Sequence, residues 1–338
     1  MNDILLIRLS SLGDIVLTSP AIRAVRQHFP NAHISMLVAT QSADVVTENP
    51  HLDEVIAFDR NATDKDTGEM RRVVKRLRGR RFDLAIDFQR KFRTSLLAYL
   101  SGAKCRVGYH APGGFLCTVR VPDRVNKHAI DRYFDLLHAV DIPATDRRLE
   151  LFISEADRVF AAEALMAQGV QADRLKVGLF PGAGWKLREW MPERFAQIGD
   201  LVAKHFDAQV LLFGGPAEKE LVNHVSSLMT ATPVLFAGSM RIRQFAALVG
   251  RCDLFISNDT GPMHVAAAMQ TPTIALFGPG NHIRFQPLHP MHTTIRHHVP
   301  CNPCKQFTDR CKDNVCMKLI TVDEVWVEVC RRLGKSRG

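Results

Sequence analysis

Short, continuously apolar runs alternate with amphipathic stretches along most of the chain. Asp-Ile-Leu-Leu-Ile-Arg-Leu at 3–9 lacks polar alternation and so predicts a strand covered on both faces. The turn Ser10-Ser11-Leu12-Gly13-Asp14 then leads into a helical pattern from about Ile15 to His28. Strands are predicted again at His33–Ala39, Glu54–Phe58, Asp83–Phe88 and Lys104–Gly108, with helical stretches between them. Asp141–Glu150, with Pro143 and Asp146-Arg147-Arg148, follows neither period and is the expected linker. A second series predicts strands at Lys176–Phe180, Gln209–Phe213, Asp253–Ser257 and Thr273–Phe277, and helices near Pro192–His205, Ala217–Leu228, Arg243–Val249 and Pro262–Met269. Such alternation implies right-handed crossovers and parallel sheets with helices on both faces. The expected α/β architecture is two Rossmann-like domains, residues 1–150 and 151–320, facing a central cleft, with ligands at the carboxyl ends of the strands. The segment 321–338 follows a cysteine cluster and adds a last helix, Val322–Leu333.

At 338 residues the chain exceeds one comfortable core, and 46% hydrophobic with 23% charged residues excludes a fibrous or largely disordered protein. Every apolar run is interrupted well short of the roughly 20 residues a membrane helix needs. Asp3 and Arg8 depart from a secretion signal, so a cytoplasmic location is expected, where the eight cysteines are thiols or metal ligands. Forty-four basic against 35 acidic residues leave a net charge of +9, which attracts anions without choosing between nucleic acid, lipid headgroups and a phosphorylated substrate. With aromatics at 7% and no basic-aromatic motif, nucleic acid is not the expected partner.

Chemistry concentrates at the predicted strand ends. In Phe255-Ile-Ser-Asn-Asp-Thr-Gly-Pro-Met-His264 a strand gives way to a polar turn, Gly261 permits close backbone approach, and Pro262 suits a first helical turn. Asp259, Thr260, Gly261 and His264 then surround a helix N-terminus, a receptor for a diphosphate or a sugar hydroxyl; the alternative is that Asp259 or Thr260 only caps the helix and His264 only packs. Gly182 and Gly184 end another strand beside Lys186 and Arg188. Phe213-Gly-Gly-Pro is followed by Glu218, placed to take the hydroxyls of a ribose, and Ser239 and Met240 sit on a further turn of the same rim. Four such turns on one domain describe a nucleotide site.

Ile-Arg-Leu-Ser-Ser-Leu-Gly-Asp-Ile-Val-Leu-Thr-Ser-Pro at 7–20, Phe-Pro-Gly-Ala-Gly at 180, Phe-Gly-Gly-Pro-Ala-Glu at 213 and Asn-Asp-Thr-Gly-Pro-Met-His at 258 together resemble glycosyltransferase family nine, the ADP-heptose:lipopolysaccharide heptosyltransferases. The resemblance runs from residue 4 to beyond residue 325. It implies a GT-B fold, an N-terminal acceptor domain that includes Ser10 and Gly13, a C-terminal ADP-sugar domain, and inverting transfer that requires no metal or other cofactor. It also implies that Asp14 is the general base, taking the proton of the acceptor hydroxyl as that oxygen attacks opposite the diphosphate. The family's Lys-x-Trp-Pro appears here as Arg188-Glu-Trp-Met-Pro192, so Arg188 or Lys186 is the cation expected at the leaving group.

Two clusters lie outside those motifs. Cys301, Cys304, Cys311 and Cys316 fall within 16 residues, and the choice is between one structural Zn or Fe site and a metal-free reduced loop. Arg71, Arg72, Lys75, Arg76, Arg78, Arg80 and Arg81 lie on a predicted helix without acidic partners nearby, and Arg90, Lys91 and Arg93 follow the next strand. A lipid-linked, phosphorylated acceptor at an anionic inner-membrane surface, met peripherally by Arg71, Arg72, Lys75, Arg90 and Arg93, accounts for both runs. The expectation is therefore heptose transfer from ADP-heptose to the inner core of a lipopolysaccharide precursor. Its rivals are a protein O-heptosyltransferase with the same donor and a non-catalytic nucleic-acid-binding protein with a zinc knuckle.

Overall fold

The computed structural model describes residues 1–59, 67–302, 304, 311 and 313–334. The chain divides into two compact units, Met1–Phe152 and Ile153–Gly338. In the first, β1 (Asp3–Arg8), β2 (His33–Ala39), β3 (Glu54–Phe58), β4 (Leu84–Asp87), β5 (Cys105–Tyr109) and β6 (Val119–Val121) form one sheet in the order β3-β2-β1-β4-β5-β6. The second repeats that order with β7 (Lys176–Phe180), β8 (Gln209–Gly214), β9 (Val234–Ala237), β10 (Leu254–Asn258), β11 (Thr273–Phe277) and β12 (Thr293–Arg296), arranged β12-β11-β10-β7-β8-β9. All the pairings are parallel, the doubly wound arrangement the alternation predicts.

The expected helix from Ile15 is two helices, α1 (Leu12–Val16) and α2 (Ser19–His28). Pro20 has no N–H to give and its ring crowds the carbonyl four residues back, so the chain breaks before it and Thr18 Oγ1 donates to the Ile15 carbonyl at 2.6 Å. The first unit continues with α3 (Thr67–Arg78), α4 (Phe92–Leu100) and α5 (Ala129–His138). One face of its sheet, including Leu5, Ile7, Leu37 and Phe58, packs on Val73 and Leu77 of α3 and Leu97 of α4. In the second unit α6 (Glu155–Ala167), α7 (Pro192–Phe206), α8 (Lys219–Leu228), α9 (Ile242–Val249), α10 (Gly261–Ala268), α11 (His282–Phe285), α12 (Val315–Lys318) and α13 (Val322–Leu333) complete the series. Val177, Leu179, Leu212 and Ile256 point to one face and meet Phe195 and Ile198 of α7, Val225 of α8 and Val325 and Val329 of α13, so the last helix is part of this core. Among the described residues no helix is long and apolar enough to cross a membrane.

The basic helix corrects one expectation: acidic partners are present. Arg72 binds Glu69 one turn earlier, and Arg76 and Arg80 both reach Glu54 at the start of β3. Glu69 is a local partner that the i,i+3 spacing in the sequence already holds, whereas Glu54 comes from tertiary packing, which local charge spacing does not reveal.

Candidate functional site

Each sheet reverses its winding at one place, between β1 and β4 and between β7 and β10. Loops leaving those neighbouring strands diverge to opposite faces, which opens a crevice at their carboxyl ends. The motifs at 7–20, 180 and 258 follow β1, β7 and β10 at these two places, while those at 213 and 239 follow β8 and β9 beside the second.

In the first unit Asp14 is the third residue of α1. Its Oδ2 accepts from the Ser11 amide at 3.2 Å and the Ser11 hydroxyl at 3.3 Å, and pairs with Arg8 Nη2 at 2.7 Å. Its side chain is 18% exposed, so it is both held and within reach of solvent. Arg8 is the one charge in the run Ile4–Leu9, and it also donates to the Phe88 carbonyl at 2.6 Å and lies over the Tyr133 ring. Burial opposes its charge, yet Tyr133 and Asp14 hold its pKa above the ordinary value. From β4, buried Asp87 accepts from the Gln89 amide and the Ser95 hydroxyl, each at 2.9 Å. Burial pushes the Asp87 carboxyl up to about 7, against those hydrogen bonds and Arg8. Gln89 ties the two strands, accepting from the Leu9 amide and donating to Ser10 Oγ at 3.0 Å.

Ser10 in the turn after β1 and Gly13 and Asp14 in the first turn of α1 thus lie together, buttressed by Arg8, Asp87 and Gln89, which the motif reading passed over. A lone arginine inside a buried apolar strand is the signal for the first of these. Arg90 follows β4 and pairs with Asp123, which also holds Arg132, and Arg93 lies in the first turn of α4. Arg71, Arg72 and Lys75 are on α3, after the edge strand β3, with β2 intervening before β1.

In the second unit the loop after β7 is the centre. A Cβ on Gly182 would lie 2.4 Å from Glu218 Cγ and one on Gly215 2.9 Å from Glu218 Oε2, so the two glycines make room for the Glu218 stem against the β7 end and for its carboxylate beside the turn after β8. Glu189 comes from the same loop; burial raises its pKa, the Ala183 amide and Lys186 oppose that, and Glu218 adds to it. Fully buried Asn258 joins three segments, accepting from the Trp190 amide at 3.1 Å and donating to the Pro181 carbonyl at 2.7 Å. Arg188 Nη1 sits 3.2 Å from Asp259 Oδ2 and 3.3 Å from the Asp259 carbonyl, whereas Lys186 is exposed. Burial pushes the Asp259 carboxyl up to about 6, with Arg188 pulling it down.

Thr260 is the N-cap of α10, but its side chain makes no capping bond, so the amides of that first turn point outward unanswered by it. His264 is buried one turn in, its ring 6.4 Å from that of Phe285. Glu218, Gly182, Gly184, Arg188, Asp259, Thr260, Gly261 and His264 therefore gather around β7, β8 and β10, and Ser239 and Met240 follow β9 on the same rim. Arg241 and Arg243, just after them, both bind buried Asp157 of α6 and fix that loop. A guanidinium beside a helix N-terminus and a carboxylate over a glycine turn can receive a diphosphate and a pair of hydroxyls.

Of the four clustered cysteines, Cys301, Cys304 and Cys311 precede α12 and Cys316 lies within it. Cys316 is buried, which pushes its thiol up to about 11, and Cys301, Cys311 and Cys304 are close enough to add to that rise. Among the described residues no group of three or more His, Cys, Asp or Glu is arranged to hold a metal ion.

Comparison with known proteins gives the family and the fold. The chain is 25% identical over 293 residues to the lipopolysaccharide core heptosyltransferase OpsX of Haemophilus influenzae, covering 85% of this chain and 82% of that protein. Among solved structures, glycosyl transferase family 9 from Veillonella parvula superposes with a TM-score of 0.90 at 26% identity, over 99% of this chain and 98% of that one. The Escherichia coli ADP-heptose lps heptosyltransferase II shares the fold with a TM-score of 0.82 at 23% identity, over the whole of both chains. The family model for glycosyltransferase family 9 (heptosyltransferase) matches residues 70–314, and the chain belongs to that family of enzymes.

Proposed function

We propose that this glycosyltransferase moves a heptose from ADP-heptose, with inversion at the anomeric carbon, onto the phosphorylated inner core of a lipid-linked lipopolysaccharide precursor, working peripherally at the cytoplasmic face of the inner membrane. The observation that carries the reading is the seat of Arg188 on Asp259 at the N-terminus of α10, with Glu218 leaning over Gly182 beside it. That is a receptor for a nucleoside diphosphate. The names of the Haemophilus and Escherichia relatives support the sugar and the acceptor.

In this reading Glu218 takes the ribose hydroxyls, Gly182 and Gly184 let the donor approach the backbone, and Ser239 and Met240 border the nucleoside. Arg188, Lys186 and the amides after Thr260 meet the charge that builds on departing ADP. His264 and Asp259 shape the sugar side of that turn. Asp14 accepts the proton of the attacking hydroxyl, and Arg8 and Ser11 hold its Oδ2 while it does so. Ser10, Gly13, Arg90 and Arg93 line the acceptor loops, with Arg71, Arg72 and Lys75 further out for phosphates. No step asks for a metal.

Purified protein given a β-linked ADP-heptose and a core-truncated acceptor should release ADP and form an α-heptoside, read from the anomeric one-bond coupling by NMR. Retention of the donor configuration, or labelling of a protein in place of the glycan, would overturn the proposal. A structural Zn or Fe in the cysteine loop is the second part of it. About one equivalent of metal per chain, lost in Cys304→Ser together with some thermal stability, is the expected result of elemental analysis. Metal-free protein from metal-replete medium would leave the loop as reduced thiols.

A further inference from the structure

Two phenylalanines on the carboxyl rim of the first sheet face solvent together. Phe115 is 72% and Phe92 49% exposed, and their ring centroids are 6.4 Å apart. Phe92 opens α4 after β4, and Phe115 lies in the loop leaving β5. That loop is shaped to hold them there. Gly113 has φ near +91°, where a Cβ would sit 2.9 Å from Phe92 Cα, and a Cβ on Gly114 would sit 2.5 Å from the Tyr109 carbonyl oxygen. Two adjacent glycines thus let the loop close down on α4 and β5 while the next residue, a large aromatic, projects outward. A single exposed ring is ordinary, but paired rings on a fixed mount form a patch.

Cations surround the rings. Arg90, Lys91 and Arg93 bracket Phe92, and Arg124 with half-exposed Val125 follows β6 on the same rim. Asp123 is shared by Arg90 and buried Arg132, so that trio keeps a positive charge, and Lys91 is exposed. A symmetric contact with a second copy would set these cations against themselves, on a chain already at +9. Protruding rings with a cationic collar match an anionic bilayer surface, where aromatics enter the headgroup boundary and basic side chains meet phosphates.

We infer that this rim docks the protein on anionic phospholipid, Phe92 and Phe115 entering the interface on the same rim as the start of α1, which carries Asp14. The inference rests on the proposed membrane-linked acceptor and deepens it, because it moves the contact from the basic helix α3 to the strand ends at β4 and β5. The test is co-sedimentation of the full chain with phosphatidylcholine vesicles containing phosphatidylglycerol, against phosphatidylcholine alone. Wild type should bind the anionic vesicles, less so at high salt, and Phe92→Ser/Phe115→Ser should weaken binding by about tenfold or more with thermal stability unchanged. Transfer to a short, water-soluble acceptor should be unaffected in that variant, which separates docking from the chemistry: loss of transfer in wild type would count against the proposed function, not against the rim. A folded double variant that binds vesicles like wild type overturns the inference. So does a wild-type dimer that the two substitutions disperse without any vesicle binding, since the rings would then cover a second copy.

Discussion

Asp14→Asn is expected to lower kcat by about 10³-fold while ADP still protects the protein against thermal unfolding. The amide keeps the carboxylate's shape and one acceptor oxygen, so the Ser11 amide and the Arg8 guanidinium retain a partner and α1 keeps its start. What the substitution removes is the ability to take a proton. A loss confined to kcat, with the donor KM nearly intact, is the pattern of a group used only as the acceptor hydroxyl attacks. A variant within about tenfold of wild type would place proton acceptance elsewhere. Asp87 would then be the next carboxyl to test, because it ends the neighbouring strand and burial has already pushed it up to about 7.

The central strands were legible because they are buried on both faces and therefore read as unbroken apolar runs: Ile4–Ile7 in β1 and Leu254–Ile256 in β10 show it plainly. The edge strands β6, β9 and β12 went unpredicted, since three or four residues with mixed exposure carry no period to detect. The site was legible as motifs and illegible as contacts. Asp259 and Arg188 lie 71 residues apart, and what joins them is the adjacency of β7 and β10, a fact of strand order that local pattern does not contain. Glu54 answering Arg76 and Arg80 is the same kind of long-range event on the basic helix. The Arg8 to Asp14 pair went unread although its signal was present: a charge inside a buried strand requires a partner within side-chain reach. Family membership also disposes of the nucleic-acid rival, whose only support was net charge and cysteine spacing.

Arg188→Ala should cost about 10²-fold or more in kcat, and Lys186→Ala far less, because only the arginine is seated on the turn that opens α10. The stabilisation it supplies is to charge that appears as ADP leaves, so the loss should fall on turnover more than on ADP binding. A second consequence is independent of catalysis. The Asp259 carboxyl already sits at about 6 because it is buried, and Arg188 is what keeps it from rising further. A carboxyl whose folded pKa is raised contributes its stabilisation fully below the unfolded value near 3.8, and loses it as pH climbs through the folded value. Removing the guanidinium lifts the folded value again. The Tm deficit of Arg188→Ala against wild type should therefore be small at about pH 5, where the carboxyl is mostly neutral in both, and grow toward about pH 8, where wild type holds a paired carboxylate and the variant a buried unpaired one. A deficit that stays flat across that range would mean the ion pair is not formed in solution. Equal, small losses of kcat in both variants would mean that this turn does not stabilise the leaving group.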